Sequence, residues 1–156
     1  MAKVKVGDVA LLSIRPRYAT AILAGHKRVE FRKRRFRRQV SHIVIYATSP
    51  LMRVVGYFSI ARITTGSPAA LWARYRHCAG IGLWAFKRYF GEACEGTAFE
   101  VGFVQALREP LVLGDIDGNL APPQSFVYLD RGAFERLADA TEIAHVARRR
   151  TWSEVA

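Results

Sequence analysis

The 156-residue chain lacks the features that define several large classes of protein. Its two cysteines, Cys78 and Cys94, are too few for the disulfide framework of a small exported domain. No apolar run approaches the roughly 18 residues that a membrane-spanning helix needs. The opening Met1-Ala2-Lys3-Val4-Lys5 leads to Gly7 and Asp8 with no apolar stretch and no small-residue cleavage site. A cytoplasmic protein with no membrane partner is therefore expected. Metal motifs are lacking as well. His77, Cys78 and Cys94 fall short of the four ligands in paired spacing that structural zinc requires. Asp115-Ile116-Asp117-Gly118-Asn119 begins like a calcium loop, but Leu120 stands where the turn needs glycine and Phe126 where the bidentate glutamate belongs. Gly80-x-Gly82 has no third glycine, no phosphate-binding loop or nucleophile elbow is present, and His26, His42, His77 and His145 form no recognisable catalytic pair. No cofactor and no metal are expected.

Acidic residues are nearly missing from the first part of the chain. Residues 1–91 hold eighteen Lys and Arg against Asp8 and Glu30 alone, whereas residues 92–156 hold six basic and eleven acidic residues. The overall charge of +11 hides this division. Its steepest part is His26–Arg38, with eight cations and one carboxylate in thirteen residues. Such a segment repels itself unless a polyanion or salt screens it, and guanidinium groups match phosphate oxygens in pairs. Nucleic acid is the expected partner, RNA ahead of DNA. A solvated basic loop is the blander alternative, and an acidic protein partner is a third. A membrane-surface helix is disfavoured, because Val29, Phe31 and Phe36 do not fall on one helical stripe. Hydrophobic residues at 51% exclude a chain that is mainly disordered.

The pattern predicts one domain over 1–156, with a core at about 9–130 and C-terminal helices over about 131–150. Val9–Ile14 reads as a buried strand, and Pro16 opens a helix whose Tyr18, Ala19, Ile22 and Leu23 recur at helical spacing before Gly25 ends it. Val29–Lys33 alternates, so Val29 and Phe31 face one way while Glu30 and Arg32 face the other. Strands follow at Ser41–Tyr46 and Val54–Ile63, with Gly56 marking a bulge or a close approach. Ser67-Pro68 starts one helix, and Leu83–Phe90 forms another that Gly91 ends. Thr97–Leu107, Leu111–Leu113 and Ser125–Leu129 read as strands, with a turn at Asp117-Gly118. Asp130 and Thr141 are the expected caps of two last helices. Short strands with helices between them suggest an α+β, barrel-like domain.

Gly25-His26-Lys27-Arg28-Val29-Glu30-Phe31-Arg32 fits the G-x-K-x-x-E-x-R signature of ASCH domains, in the PUA-like superfamily. The resemblance continues through Leu12–Pro16, Ile45–Pro50, Val55-Gly56, Phe86–Gly91 and Pro122–Phe126, covering about residues 9–130. It implies a small β-barrel with flanking helices and a cleft beside the helix Pro16–Ala24, in which the family is mostly thought to bind RNA or modified nucleic acid. Some members are single-strand ribonucleases, and others are amidohydrolases that deacylate acetylcytidine. The amidohydrolases share a lysine at Lys27 but have threonine where this chain has Glu30. They also use a later glutamate, for which Glu92 and Glu95 are only the nearest counterparts here.

The chemistry available to the motif follows from its spacing. Lys27 sits in the turn before the strand, and Glu30 and Arg32 share a face, so cation and carboxylate converge at one strand end. Lys27 can hold a phosphate or polarise a carbonyl, and Glu30 can accept from a base edge or act as a general base. The structural alternative is an ion pair that fixes the turn. Arg15, Arg17, Arg32, Arg34, Arg35, Arg37 and Arg38 are the candidate phosphate contacts. Tyr18, Tyr46 and Phe126 could stack on an unpaired base, although core packing is the commoner fate of an aromatic. Gln124 and Ser125, polar residues between prolines and an apolar strand, are candidates for the cleft. Arg148-Arg149-Arg150 either joins the binding face or offsets a helix dipole.

Overall fold

The apolar run at Val9–Ile14 is interrupted only by Ser13, which is the pattern of a strand covered on both faces. The structure, a computed structural model, describes residues 8–139 and 141. Its elements run β1 (Asp8–Ile14), α1 (Pro16–Leu23), β2 (Val29–Arg32), β3 (Val40–Ala47), β4 (Arg53–Gly66), α2 (Pro68–Tyr75), α3 (Leu83–Phe90), β5 (Gly96–Leu111), a 3₁₀ turn at Leu113–Asp115 and β6 (Phe126–Leu129). A last helix, α4, covers 131–139. Asp130 caps it, its Oδ1 accepting from the backbone N–H of Gly132 at 2.8 Å. Thr141, the expected cap of a second helix, is instead itself helical, and its hydroxyl donates to the Ala138 carbonyl at 2.6 Å; the helix expected after it, with Arg148–Arg150, lies outside the described residues.

The six strands form one sheet in the order β2-β5-β4-β3-β1-β6, antiparallel except for the parallel β1/β3 pair. Among the described residues β2 and β6 do not pair, so the expected barrel is corrected to an open sheet. Side chains span the gap between the two edges instead. Arg32 Nη2 donates to the Ser13 carbonyl at 2.8 Å. Phe36, in the β2–β3 loop, packs edge-on against Phe126 with centroids 4.8 Å apart. The backbone N–H groups of Arg37 and Arg38 donate to the Tyr128 hydroxyl at 3.1 and 3.3 Å.

Two cores lie on opposite faces of the sheet. Ala10, Leu12, Ile43, Ile45, Phe58 and Phe99 pack against Ala19 and Ile22 of α1. Val9, Leu11, Val44, Tyr46 and Tyr57 pack against Leu113 of the 3₁₀ turn, Ile116 just after it, and Phe134 and Leu137 of α4. A third cluster joins Val29 and Phe31 of β2 to Leu71 of α2 and to Phe86 and Phe90 of α3. Gly56 meets both sequence expectations. A Cβ there would come within 2.5 Å of the Gln105 carbonyl and 2.7 Å of a Leu23 methyl, and the β4/β5 register shifts beside it. Leu111–Leu113 is not a separate strand. β5 runs unbroken to Leu111, and Leu113 turns into the second core as the start of the 3₁₀ turn.

Candidate functional site

Lys27 is placed by how α1 ends. Pro16 occupies the first turn, where its missing N–H costs nothing. At the other end Gly25 takes φ +83°, a left-handed conformation that suits glycine. The His26 N–H donates to the Ala21 carbonyl at 2.9 Å and the Gly25 N–H to that of Ile22 at 3.1 Å, which closes the helix as a Schellman motif. The chain then reverses, and the Lys27 side chain enters the interior with only 2% of its surface exposed.

The β2 alternation puts Glu30 and Arg32 beside it. Lys27 Nζ donates to the Ala79 carbonyl at 2.7 Å and lies 3.8 Å from Glu30 Oε2. Glu30 Oε1 sits 3.1 Å from Arg32 Nη2. One buried carboxylate thus stands between two cations, while Arg32 Nε is buried with no hydrogen-bond partner among the described residues. Burial holds the Lys27 pKa below its ordinary value; Arg32 adds to that effect and Glu30 opposes it. The expected ion pair is therefore present as one edge of a largely buried triad. Gly80 seals the far side: it has φ +60°, and a Cβ there would lie 2.5 Å from Lys27 Cβ.

The triad forms part of the wall of an open cavity of about 430 Å³, a size suited to a small organic ligand. The end of β1 contributes Ser13, the start of α1 contributes Arg15 and Tyr18, α3 contributes Arg88 and Tyr89, and the loop before β6 contributes Gln124. Tyr18 is half-buried, with Lys27 Nζ 5.4 Å from its ring centre. Burial pushes the Tyr89 hydroxyl pKa upward.

Arg15, Tyr18, Lys27, Glu30, Arg32 and Gln124 are thus brought together. Arg17 is exposed beside the cavity, with its guanidinium 5.2 Å from the Tyr18 ring centre. Arg34, Arg35, Arg37 and Arg38 are exposed on the β2–β3 loop. Phe36 between them is buried and stacks on Phe99 at 4.8 Å, so it pins the loop. Ser125 does not line the cavity; its carbonyl accepts from the Ser13 N–H. Tyr46 leaves the candidate set. Strand alternation turns it with Val44 into the second core, 3% exposed, where no base can stack on it. Phe126 packs between Phe36 and Tyr128. Arg88, Tyr89, Ser13 and Thr48 were not anticipated in the cavity. The signal for the first two was available, since Phe86 and Phe90 define the buried face of α3 and leave the intervening residues for another surface. Among the described residues no group of three or more His, Cys, Asp or Glu converges as metal ligands, and no helix is long and apolar enough to cross a membrane.

Comparison with known proteins bears on this geometry. The ASCH domain family model matches residues 12–106. The ASCH domain-containing ribonuclease of Zymomonas mobilis subsp. mobilis is 35% identical over 136 residues, spanning 85% of this chain and 91% of that protein. The crystal structure of ASCH from Zymomonas mobilis matches at a TM-score of 0.78 and 34% identity, over 85% of this chain and 95% of that one. The N-terminal domain of Staphylothermus marinus McrB, at 11% identity and a TM-score of 0.54 over 81% of this chain and 91% of that one, shares the fold alone. With the signature at Gly25–Arg32 and a family match over more than half its length, this chain belongs to the ASCH domain family.

Proposed function

We propose that this ASCH protein binds single-stranded RNA along its arginine-rich β2–β3 loop and cleaves it in the cavity beside Lys27, Glu30 and Arg32. The observation that carries the reading is a Lys–Glu–Arg triad, its Lys27 and Glu30 buried, in the wall of an open cavity, flanked by a loop of exposed arginines. A relative named as a ribonuclease, similar over nearly its whole length, supports work on RNA.

The roles follow from the chemistry of each group. RNA carries its own nucleophile, the 2′-hydroxyl. Glu30 accepts its proton, the freed oxygen bonds to the adjacent phosphorus, and the bond from phosphorus to the next nucleotide's 5′-oxygen breaks. That oxygen takes up a proton, leaving a 2′,3′-cyclic phosphate on one fragment and a 5′-hydroxyl on the other. Arg32 and Lys27 oppose the charge that builds on the phosphoryl oxygens in a partly water-excluded site. A lysine whose pKa is lowered by burial also gives up a proton more readily than a solvated one, so Lys27 suits the leaving-group side. The exposed arginines hold neighbouring phosphates and set register rather than sequence.

The test is a denaturing gel of end-labelled single-stranded RNA incubated in EDTA with wild type and with Lys27→Ala, thermal melts confirming that both fold. Wild type should yield fragments ending in cyclic phosphate. Lys27→Ala should yield none while keeping most of its RNA affinity. DNA of the same sequence, lacking the 2′-hydroxyl, should stay intact. Intact RNA with wild type, together with retained binding, would overturn cleavage and leave a binding module served by the same arginines.

A further inference from the structure

Helix α3 carries a residue that packing does not explain. Phe86 and Phe90 are buried in the third core, yet Trp84 is 79% exposed, more than any other large hydrophobic side chain described. A tryptophan so presented to water stabilises little in the fold itself. Its surroundings are cationic: Lys87 Nζ lies 5.9 Å from the Trp84 ring centre, and α3 contains Lys87 and Arg88 with no acid. Trp84 and Arg88 are four residues apart on the helix, which puts their Cβ atoms about 5–6 Å from each other on one side. Arg88 lines the cavity, so the side of α3 that carries Trp84 adjoins the cavity wall.

The same pairing of ring and cation recurs at two rings of the cavity wall. Arg17 lies over Tyr18 at 5.2 Å and Lys33 over Tyr89 at 5.6 Å, and away from the cavity Arg38 lies over Tyr128 at 4.3 Å. Lys33 and Tyr89 are also joined by a backbone N–H to hydroxyl bond of 3.2 Å, which ties the arginine-rich loop to α3. Alternating aromatic faces and cations are what a single strand requires: rings for bases of any identity and charges for the phosphates between them. A protein partner would need acidic groups to match this face and offers no reason for flat rings beside a nucleotide-sized cavity.

We propose that Trp84 is a second base-binding position, stacking on the nucleotide next to the one in the cavity, with Arg88 and Lys87 holding the phosphate between them. This rests on the RNA reading above and extends it from one nucleotide to at least two.

The test measures binding of a fluorescent 2′-O-methyl RNA octamer, which cannot be cleaved through its own 2′-oxygen, and of uridine monophosphate. Wild type is compared with Trp84→Ala and Trp84→Phe. Trp84→Ala should weaken octamer binding roughly 5- to 150-fold, the range of base–aromatic stacking. Trp84→Phe should recover most of it, and the monophosphate should bind all three equally. In octamers carrying one abasic nucleotide, the Trp84→Ala penalty should vanish at a single position, a coupling that a purely structural role would not produce. The dependence on salt should be unchanged, because stacking releases no counterions. Octamer binding by Trp84→Ala at wild-type strength would overturn this proposal alone, and equal losses for octamer and monophosphate would overturn it as a disturbance of the cavity. Wild type that binds no RNA would overturn the RNA reading, and this proposal with it.

Discussion

Lys27 and Arg32 come from the same thirteen-residue basic segment as Arg34, Arg35, Arg37 and Arg38, but the fold treats the two groups in opposite ways. Of the first pair Lys27 is buried and Arg32 half-buried, and both share Glu30, with carbonyls of Ala79 and Ser13 taking further N–H groups. The four loop arginines are exposed and form no ion pair among the described residues. Charge removed from water must be answered by the protein, whereas charge left in water is answered by salt or by a ligand. The cavity wall is therefore fixed by folding, and the loop is available for a polyanion.

The largest effect expected from this contrast falls on Glu30. Glu30→Gln keeps the side chain's shape but leaves the buried Lys27 and the half-buried Arg32 without their anion. Removing one partner of a buried ionic group costs about 3–5 kcal/mol, so chemical denaturation should show a loss of that order. Arg34→Ala, on the loop, should change stability by no more than about 0.5 kcal/mol. Equal stability losses for the two variants would mean that wall and loop are electrostatically alike.

A smaller effect should follow from Gly80→Ala. The new Cβ would lie 2.5 Å from Lys27 Cβ at a position with φ +60°, so strain of about 1–3 kcal/mol is expected. Lys27 must also shift away from the Ala79 carbonyl it now contacts at 2.7 Å. Cleavage of RNA should fall while the affinity set by the loop arginines holds. A variant that cleaves at the wild-type rate would show that the position of Lys27 does not matter to the wall.

Much of this contrast could be read from the sequence, and the unread part has physical causes. Pro16, Gly25 and the alternation at Val29–Arg32 act locally, so they located α1, its end and the face shared by Glu30 and Arg32. The strands were legible one by one, but whether the first and last edges pair is a non-local matter. Here Phe36, Arg32 and Tyr128 occupy the gap that a barrel ladder would have closed. Tyr46 was misplaced because β3 is apolar on both faces, and alternation alone does not say which face meets the cavity. The acceptor for Lys27 is the backbone of Ala79, 52 residues away, and no side-chain pattern records a carbonyl.

The smallest expected effect concerns the loop alone, and it is seen only when salt is varied. A single strand gives up about 0.7 counterions for each phosphate a protein neutralises. If Arg34 holds one phosphate, Arg34→Ala should lower the slope of log affinity against log salt by about 0.7 and leave thermal stability nearly unchanged. Trp84→Ala should do the reverse, lowering affinity at every salt concentration with the slope intact. Glu30→Gln, if enough of it folds to be measured, should not reduce the slope, because in the wild type Lys27 and Arg32 are already paired with Glu30 and contribute few of the counterions released on binding. A slope that falls as far for Lys27→Ala as for Arg34→Ala would place Lys27 among the solvated phosphate contacts and dissolve the distinction between wall and loop.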